Sequence, residues 1–333
     1  AVSDVEFLGN PAPWIATVAA AGGYLSRGGI ALQETTSLPG IPAHPQRIAE
    51  GSGVLDLGVV NPSRLEQLAL HFDADTIVIR QNSAVTQLAE SLTRLRFQGV
   101  RITTMPDLCS KILEELPLET LSDMWFSFAT GFNLLHERVF RRIKRLADIL
   151  MACVGLFVTL PISAAVAIAI KVESRGPVLF KQWRVGWMEK PFTLLKFRSM
   201  RQDAEPGGVA QWASAEDTRA TRVGRIIRRL HIDEIPQMIN VLLGEMSFVG
   251  PRPERPIFVE QLKQIVPFYS LRHHLPPGIT GWAQVNYPYG ASVDDAKRKL
   301  QYDLYYVRNA SPTLDLRILL RTARVILFRR GSR

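Results

Sequence analysis

Residues 149–170 carry no charge, are largely apolar and have a proline, Pro161, near their middle; no other feature restricts the possible folds of this chain as much. The stretch is about as long as one bilayer crossing requires. Proline withdraws a backbone donor and disrupts a helix around the preceding turn. Basic residues flank both ends, with Arg138, Arg141, Arg142, Lys144 and Arg145 before and Lys171, Arg175, Lys181 and Arg184 after. Positive flanks stay on the cytoplasmic side of a membrane, so a single span would strand one of them. The pattern predicts a re-entrant helix-break-helix at about residues 146–171, in preference to a spanning helix or a buried soluble one.

At 333 residues the chain exceeds one typical domain. We expect an α/β domain over residues 1–122, an aromatic connector at 123–137 containing Trp125, Phe126, Phe128 and Phe132, and a mainly α (α+β) monotopic membrane domain over 138–333. In the first part, residues 54–60 and 76–80 read as buried strands. Ser83–Phe97 has helical spacing of Val85, Leu88, Leu92 and Leu95, Gln98 and Gly99 stop that helix, and residues 100–103 give another strand. This alternation argues for a parallel, Rossmann-like sheet. The glycines at 22–23, 28–29, 51 and 53 lack the dinucleotide fingerprint, so the domain reads as structural or regulatory. Cys109 and Cys153 are expected as buried free thiols. The chain opens at Ala1 with no signal-peptide pattern, and an N-terminal portion is expected to have been removed.

A net charge of +9 calls for an anionic partner: nucleic acid, phospholipid or a phosphorylated substrate. No basic helix with interleaved aromatics and no zinc-finger spacing is present, which argues against nucleic acid.

The chemistry concentrates between residues 191 and 256. Residues 191–200 have strand character, and period-two alternation puts Lys196 and Arg198 on one face as a phosphate clamp. Arg219, Arg222 and Arg225 follow at helical spacing, and Arg228 stands out because it lies five residues before Asp233. Asp233 and Glu234 precede Pro236, so a helix is expected to begin at the pair and run to Gly244. There the dipole favours an ionised carboxylate and an incoming phosphate. One carboxylate can be a nucleophile while the other holds magnesium. In the run Gly250, Pro251, Arg252, Pro253, the prolines stiffen the chain and present Arg252 to a phosphate. The C-terminal residues 314–328 have helical spacing interrupted by Arg317, Arg321 and Arg324, which suits an interfacial helix on anionic lipid or an ordinary packed helix.

From Arg141 onward these motifs resemble the bacterial sugar transferases, the monotopic polyprenyl-phosphate phosphoglycosyl transferases. The resemblance rests on the basic, apolar and proline-containing hairpin, on residues 196–200 and 233–237, on 246–253, and on 277–286, which includes Gln284 and Asn286. It implies transfer of sugar-1-phosphate from a UDP-sugar to polyprenyl phosphate with release of UMP, starting exopolysaccharide assembly at the cytoplasmic face of the inner membrane. It implies an Asp233 nucleophile, magnesium on Glu234, and substrate contacts from Lys196, Arg198, Arg228, Pro251, Arg252, Pro253, Gln284 and Asn286. The first domain resembles the Rossmann-like extension of the longer, EpsB-like members, and a homo-oligomer is left open. After Asn286, short members continue with Gly-Arg-Asn where this chain has Tyr287, Pro288, Tyr289 and Gly290, so an arginine contact is missing there. The competing reading is a membrane-bound, metal-dependent phosphohydrolase using the same carboxylates with water as acceptor.

Overall fold

The computed structural model describes residues 29–32, 46–47, 54–56, 62–71, 74–79, 83–201, 219–287, 290 and 292–328. The chain divides into two compact units, residues 1–129 and 130–333, and its described part is mostly helical.

In the first unit, β1 (Gly29–Leu32), β2 (Gln46–Arg47), β3 (Val54–Asp56), β4 (Thr76–Ile79) and β5 (Arg101–Thr104) form one sheet in the order β2-β3-β1-β4-β5. All pairings are parallel except β2 with β3. Parallel neighbours need crossover connections; α1 (Pro62–His71) precedes β4 and α2 (Ser83–Phe97) joins β4 to β5. The helical spacing seen in the sequence is what buries Leu88, Leu92 and Leu95 against Leu65, Ile77 and Ile79. Gly99, at φ 98°, ends α2 in the left-handed region that glycine enters without strain. α3 (Met105–Leu113) follows β5, its start capped by Thr104, and α4 (Asp123–Phe128) is capped by Ser122. Trp125 is buried and its indole donates to Thr104 Oγ1 at 3.2 Å, so the front of the aromatic segment belongs to this unit. Among the glycines weighed above, those at 22–23, 28, 51 and 53 lie outside the described residues.

The second unit is organised by α6 (Arg138–Glu173), which follows the single turn α5 (Asn133–His136). Among the described residues α6 is the one helix long and apolar enough to cross a membrane. The expected break at Pro161 is replaced by an uninterrupted helix with the proline inside it. Proline removes a single rung of the hydrogen-bond ladder, and the helix continues on both sides of it. Most of the apolar side chains project outward: Val154, Phe157, Val158, Leu160 and Ile168 are exposed, Phe157 by 80%. Cys153 shares this outward exposure, whereas Cys109 is buried as expected. Only Asp148, Ala152 and Ile170 of α6 are buried.

Those inner residues meet an antiparallel ribbon of β6 (Leu179–Val185) and β7 (Pro191–Phe197). Ala152 lies in one apolar cluster with Phe192, Leu194, Val241 and Met246. Ile170 lies in another with Phe197 and Ile227. Next come α7 (Arg222–Arg229), a 3-10 turn at Ile232–Glu234, and α8 (Gln237–Leu243). β8 (Ser247–Val249) pairs in parallel with β9 (Gly278–Thr280), with α9 (Pro256–Ile265) between them in sequence. α10 (Trp282–Asn286), α11 (Val293–Asn309) and α12 (Pro312–Phe328) complete the unit. Trp282, Tyr306, Leu314 and Ile318 form its second core. In α12, Leu314 and Ile318 point inward and Leu316 and Leu320 outward.

Polar groups fasten α6 to this frame. Lys144 pairs with Asp315 of α12 at 2.6 Å, and Asp315 also accepts from the buried Tyr306 hydroxyl at 2.6 Å. Asp148 accepts from Ser247 Oγ at 3.1 Å and from the Phe248 amide at 3.0 Å. A buried donor that loses its acceptor costs about 1–3 kcal/mol. Asp148→Ala is therefore expected to destabilise the second unit by about 2 kcal/mol, measured by chemical denaturation in detergent, whereas Asp148→Asn, which keeps an acceptor, is expected to retain most of the stability.

Candidate active site

Asp233 and Glu234 sit in the 3-10 turn between α7 and α8. The predicted helix from the pair through Gly244 is thus divided. Pro236 has no amide to join an α-ladder and instead serves as the N-cap of α8, so the regular helix begins at Gln237. His231, at φ 56°, reverses the chain after α7 and delivers the turn. Gly244, at φ 86°, ends α8 in the expected place.

The two carboxylates differ in their partners. Glu234 Oε1 receives Lys196 Nζ at 2.7 Å and Arg252 Nη2 at 2.8 Å. Burial opposes its charge, yet Arg252 and Lys196 outweigh that and hold the carboxyl well below the usual carboxylate range. Asp233 is only 8% exposed, and among the described residues no hydrogen bond or ion pair reaches its carboxylate. Burial raises its carboxyl above the ordinary value; Lys196 pulls it down, the Glu234 charge pushes it up, and Arg252 and Arg228 pull it down. The outcome is one carboxylate tied to two cations beside another whose lone pairs remain available.

Each cation arrives on its own element. Lys196 is near the end of β7, whose edge is pinned by buried Asn240 of α8: Asn240 accepts from the Leu195 amide at 3.0 Å and donates to the Thr193 carbonyl at 2.8 Å. Arg252 follows β8. Pro251 accepts from the Gly278 amide at 2.9 Å, and the Gly250 amide donates to Thr280 at 2.9 Å. A Cβ on Gly250 would lie 2.3 Å from the Pro276 carbonyl oxygen, so only glycine permits this approach. Pro253 accepts from Arg184 Nη1 at 3.2 Å. Arg228 ends α7 close enough to Asp233 to lower its pKa.

Several expected site residues are bonded to the scaffold. Arg198 lies beyond the end of β7, is buried, and donates to the carbonyls of Ser174 and Arg175 at 2.8 and 3.0 Å and to Ser174 Oγ at 2.8 Å. It clamps the chain leaving α6, and the anticipated two-cation face with Lys196 does not form. The strand stops at Phe197, which ends the alternation. Asn286 accepts from Arg321 at 2.6 Å and donates to the Trp282 carbonyl at 2.8 Å. Arg321 and Arg317 of α12 stack over the Trp282 ring at 4.7 and 5.2 Å. Gln284 donates to the Ile279 carbonyl at 3.1 Å.

Sequence reasoning missed Arg272. This buried arginine pairs with Asp303 at 2.7 Å, donates to Tyr269 Oη at 2.8 Å, and donates to the Arg252 carbonyl at 3.0 Å. It holds the backbone that presents Arg252. Lys299, whose ammonium is pulled below its ordinary value by burial first, donates to the Gly290 carbonyl at 2.7 Å. Arg272 and Lys299 carry no motif that distinguishes them from surface cations.

The chain matches the family model described as bacterial sugar transferase over residues 139–329. It is 39% identical over 265 residues to a UDP-N-acetylgalactosamine-undecaprenyl-phosphate N-acetylgalactosaminephosphotransferase of Aeromonas hydrophila, covering 80% of this chain and 61% of that protein. It is 37% identical to a UDP-glucose:undecaprenyl-phosphate glucose-1-phosphate transferase of Escherichia coli (strain K12), over 64% of this chain and 50% of that one. An undecaprenyl-phosphate glucose phosphotransferase of Komagataeibacter xylinus is 36% identical over 83% of this chain and 54% of its own length. The chain thus spans roughly half to three-fifths of these relatives.

The two carboxylates are expected to respond oppositely to substitution. A folded-state carboxyl raised above 3.8 means that ionised Asp233 opposes folding at neutral pH, a penalty that disappears as the pH falls below 3.8. Asp233→Asn is accordingly expected to stabilise the protein at pH 7. Glu234, depressed below 4.5, contributes stability above that value and loses it as the pH falls towards its lower folded value. Glu234→Gln is expected to cost about 2 kcal/mol at pH 7, and thermal melts of both variants across pH check the pair of signs.

Proposed function

The chain belongs to the bacterial sugar transferase family, and we propose that it transfers sugar-1-phosphate from a UDP-sugar to undecaprenyl phosphate, releasing UMP and initiating exopolysaccharide assembly. The carrying observation is the unequal pair: Glu234 tied to Lys196 and Arg252, Asp233 buried with lone pairs free of hydrogen-bond partners among the described residues.

Phosphoryl transfer asks little covalent work of the protein beyond positioning and charge stabilisation. An Asp233 oxygen attacks the sugar-bearing phosphorus, the bond to the UMP oxygen breaks, and a covalent aspartyl phosphosugar forms. Lys196 and Arg252, oriented by Glu234, face the oxygens on which charge accumulates. A phosphate oxygen of undecaprenyl phosphate then attacks the same phosphorus and Asp233 leaves, giving the diphosphate-linked lipid. Both nucleophiles are oxyanions, so neither step calls for a general base. Desolvation keeps the Asp233 carboxylate reactive, because water that would stabilise the free anion is excluded.

Magnesium fits this donor set on limited terms. Oε1 of Glu234 is taken by two cations, which leaves Oε2 and the Asp233 carboxylate, and magnesium characteristically accepts few protein carboxylates and keeps waters and phosphate oxygens. When bound, it would neutralise charge on the donor diphosphate.

The active site is placed at the cytoplasmic face of the inner membrane, with α6 dipping into one leaflet. Support comes from the packing of both halves of α6 on one short strand: Ala152 shares a cluster with Phe192 and Leu194, and Ile170 shares one with Phe197. The seven residues of β7 reach only about 20 Å, less than the hydrocarbon thickness of roughly 30 Å. The first unit reads as a Rossmann-like extension with a structural or regulatory role, supported by its parallel sheet.

Three experiments test this reading. Intact-mass measurement after incubation with UDP-sugar and magnesium is expected to show a sugar-phosphate adduct that Asp233→Asn abolishes together with UMP release. Sustained UMP release is expected only with undecaprenyl phosphate present; continued release with water alone as acceptor would establish a phosphohydrolase. In a background without native thiols, Arg142→Cys and Arg175→Cys are both expected to be labelled from the cytoplasmic side, and labelling of either from outside would establish a span.

A further inference from the structure

Arg145 and Glu173 stand at opposite ends of the apolar part of α6, and both hold backbone groups of the segment that carries Asp233. Arg145 donates to the carbonyls of Val241 and, at 2.8 Å, Leu242, in the last turn of α8. Glu173 accepts from the amides of Arg222 at 2.6 Å and Val223 at 3.0 Å, in the first turn of α7. Helix ends leave such groups without partners inside the helix, and the signs match: a cation meets terminal carbonyls and an anion meets terminal amides. Segment 222–243 is therefore suspended between two charged side chains of a single helix, and the 3-10 turn with Asp233 is at its middle.

The separation of these fastenings matters. α7 rests on α6 through Ile227 beside Ile170, and α8 rests on it through Val241 beside Ala152. A shift of either helix along α6 would carry the turn with it. Apolar contacts alone resist sliding weakly because they are non-directional, whereas the two charge-assisted caps fix position along the axis.

We propose that Arg145 and Glu173 are positioning residues for the transfer step. By fixing α7 and α8 along α6, they set the direction from which Asp233 approaches the donor phosphorus, and they make transfer depend on the seating of the apolar helix. The inference rests on the transferase reading above. It assigns to two groups that do not touch the carboxylate pair a control over rate exerted through the segment that carries Asp233, whereas the backbone of Lys196 and Arg252 belongs to β7 and to the loop after β8.

The test uses the full chain in lipid nanodiscs with UDP-sugar, magnesium and undecaprenyl phosphate, reading UMP release. Arg145→Met and Glu173→Ala are each expected to lower kcat by about tenfold or more, as misplacement of a reacting group does, with the KM for donor changed by less than about twofold. Arg145→Lys, which restores a donor to the α8 carbonyls, is expected to recover most of the loss. Glu173→Gln, which keeps an acceptor for the α7 amides, is expected to retain most of kcat, and Glu173→Ala tests the claim even where Arg145→Met fails to fold. An unchanged kcat in folded Arg145→Met or Glu173→Ala, an effect confined to KM, or no recovery with lysine would overturn the proposal. If the unsubstituted enzyme releases no UMP, the transferase reading falls and this inference with it; if it does and those two variants match it, only the inference falls.

Discussion

A single carboxylate oxygen joins three distant parts of this chain. Glu234 Oε1 holds Lys196 from β7 and Arg252 from the loop after β8, while its backbone belongs to the turn between α7 and α8. A buried carboxylate without countercharge would be strongly destabilising, and removal of one partner of such a set is far costlier than exchange of the whole. Charge balance and fold therefore specify each other here. The cations are placed because the acid must be neutralised. Arg272, paired with buried Asp303 and bonded to the Arg252 carbonyl, extends that arrangement one layer outward.

Periodicity made much of the fold legible. The leucines of α2, the β4 and β5 strands and the turn at Gly99 appeared where spacing placed them, because each is decided within a few residues. Local rules failed where two of them competed. Pro161 predicts a break, yet α6 continues through it, since the missing donor is a single rung of a long ladder. Pro236 is permitted in a first turn, yet it stands before the helix, with a 3-10 turn taking the carboxylates. The motif at 246–253 and the one at 277–286 look independent in the sequence, but they contain the two strands of one parallel ribbon.

The candidate site was legible as residue types and less so as roles. Asp233, Glu234, Lys196 and Arg252 converge, because a carboxylate pair and stiffly presented cations carry their chemistry in their spacing. Arg198 shares the motif of Lys196 but turns to the carbonyls that follow α6. Asn286 is joined to Arg321 and Trp282. Arg145 was visible only as one of a basic flank, and Asp148 and Glu173 gave no signal at all. Each acts on backbone groups far along the chain, and nothing in a sequence reports which carbonyl or amide lies across a tertiary contact. The absent Gly-Arg-Asn continuation after Asn286 was visible, although its structural counterpart at positions 288 and 289 lies outside the described residues.

The close approach at Gly250 has a mechanical meaning. With no room for a carbon beyond Cα, β8 and β9 meet without slack, and close-packed parts of that kind transmit strain rather than absorb it. Thr280, on the far strand, meets Thr322 of α12 at 2.7 Å through their hydroxyls, and its carbonyl takes the Gly250 amide. A displacement of α12 would thus pass along a rigid strut to the arginine two residues beyond that glycine, linking whatever α12 rests on to the partner of Glu234.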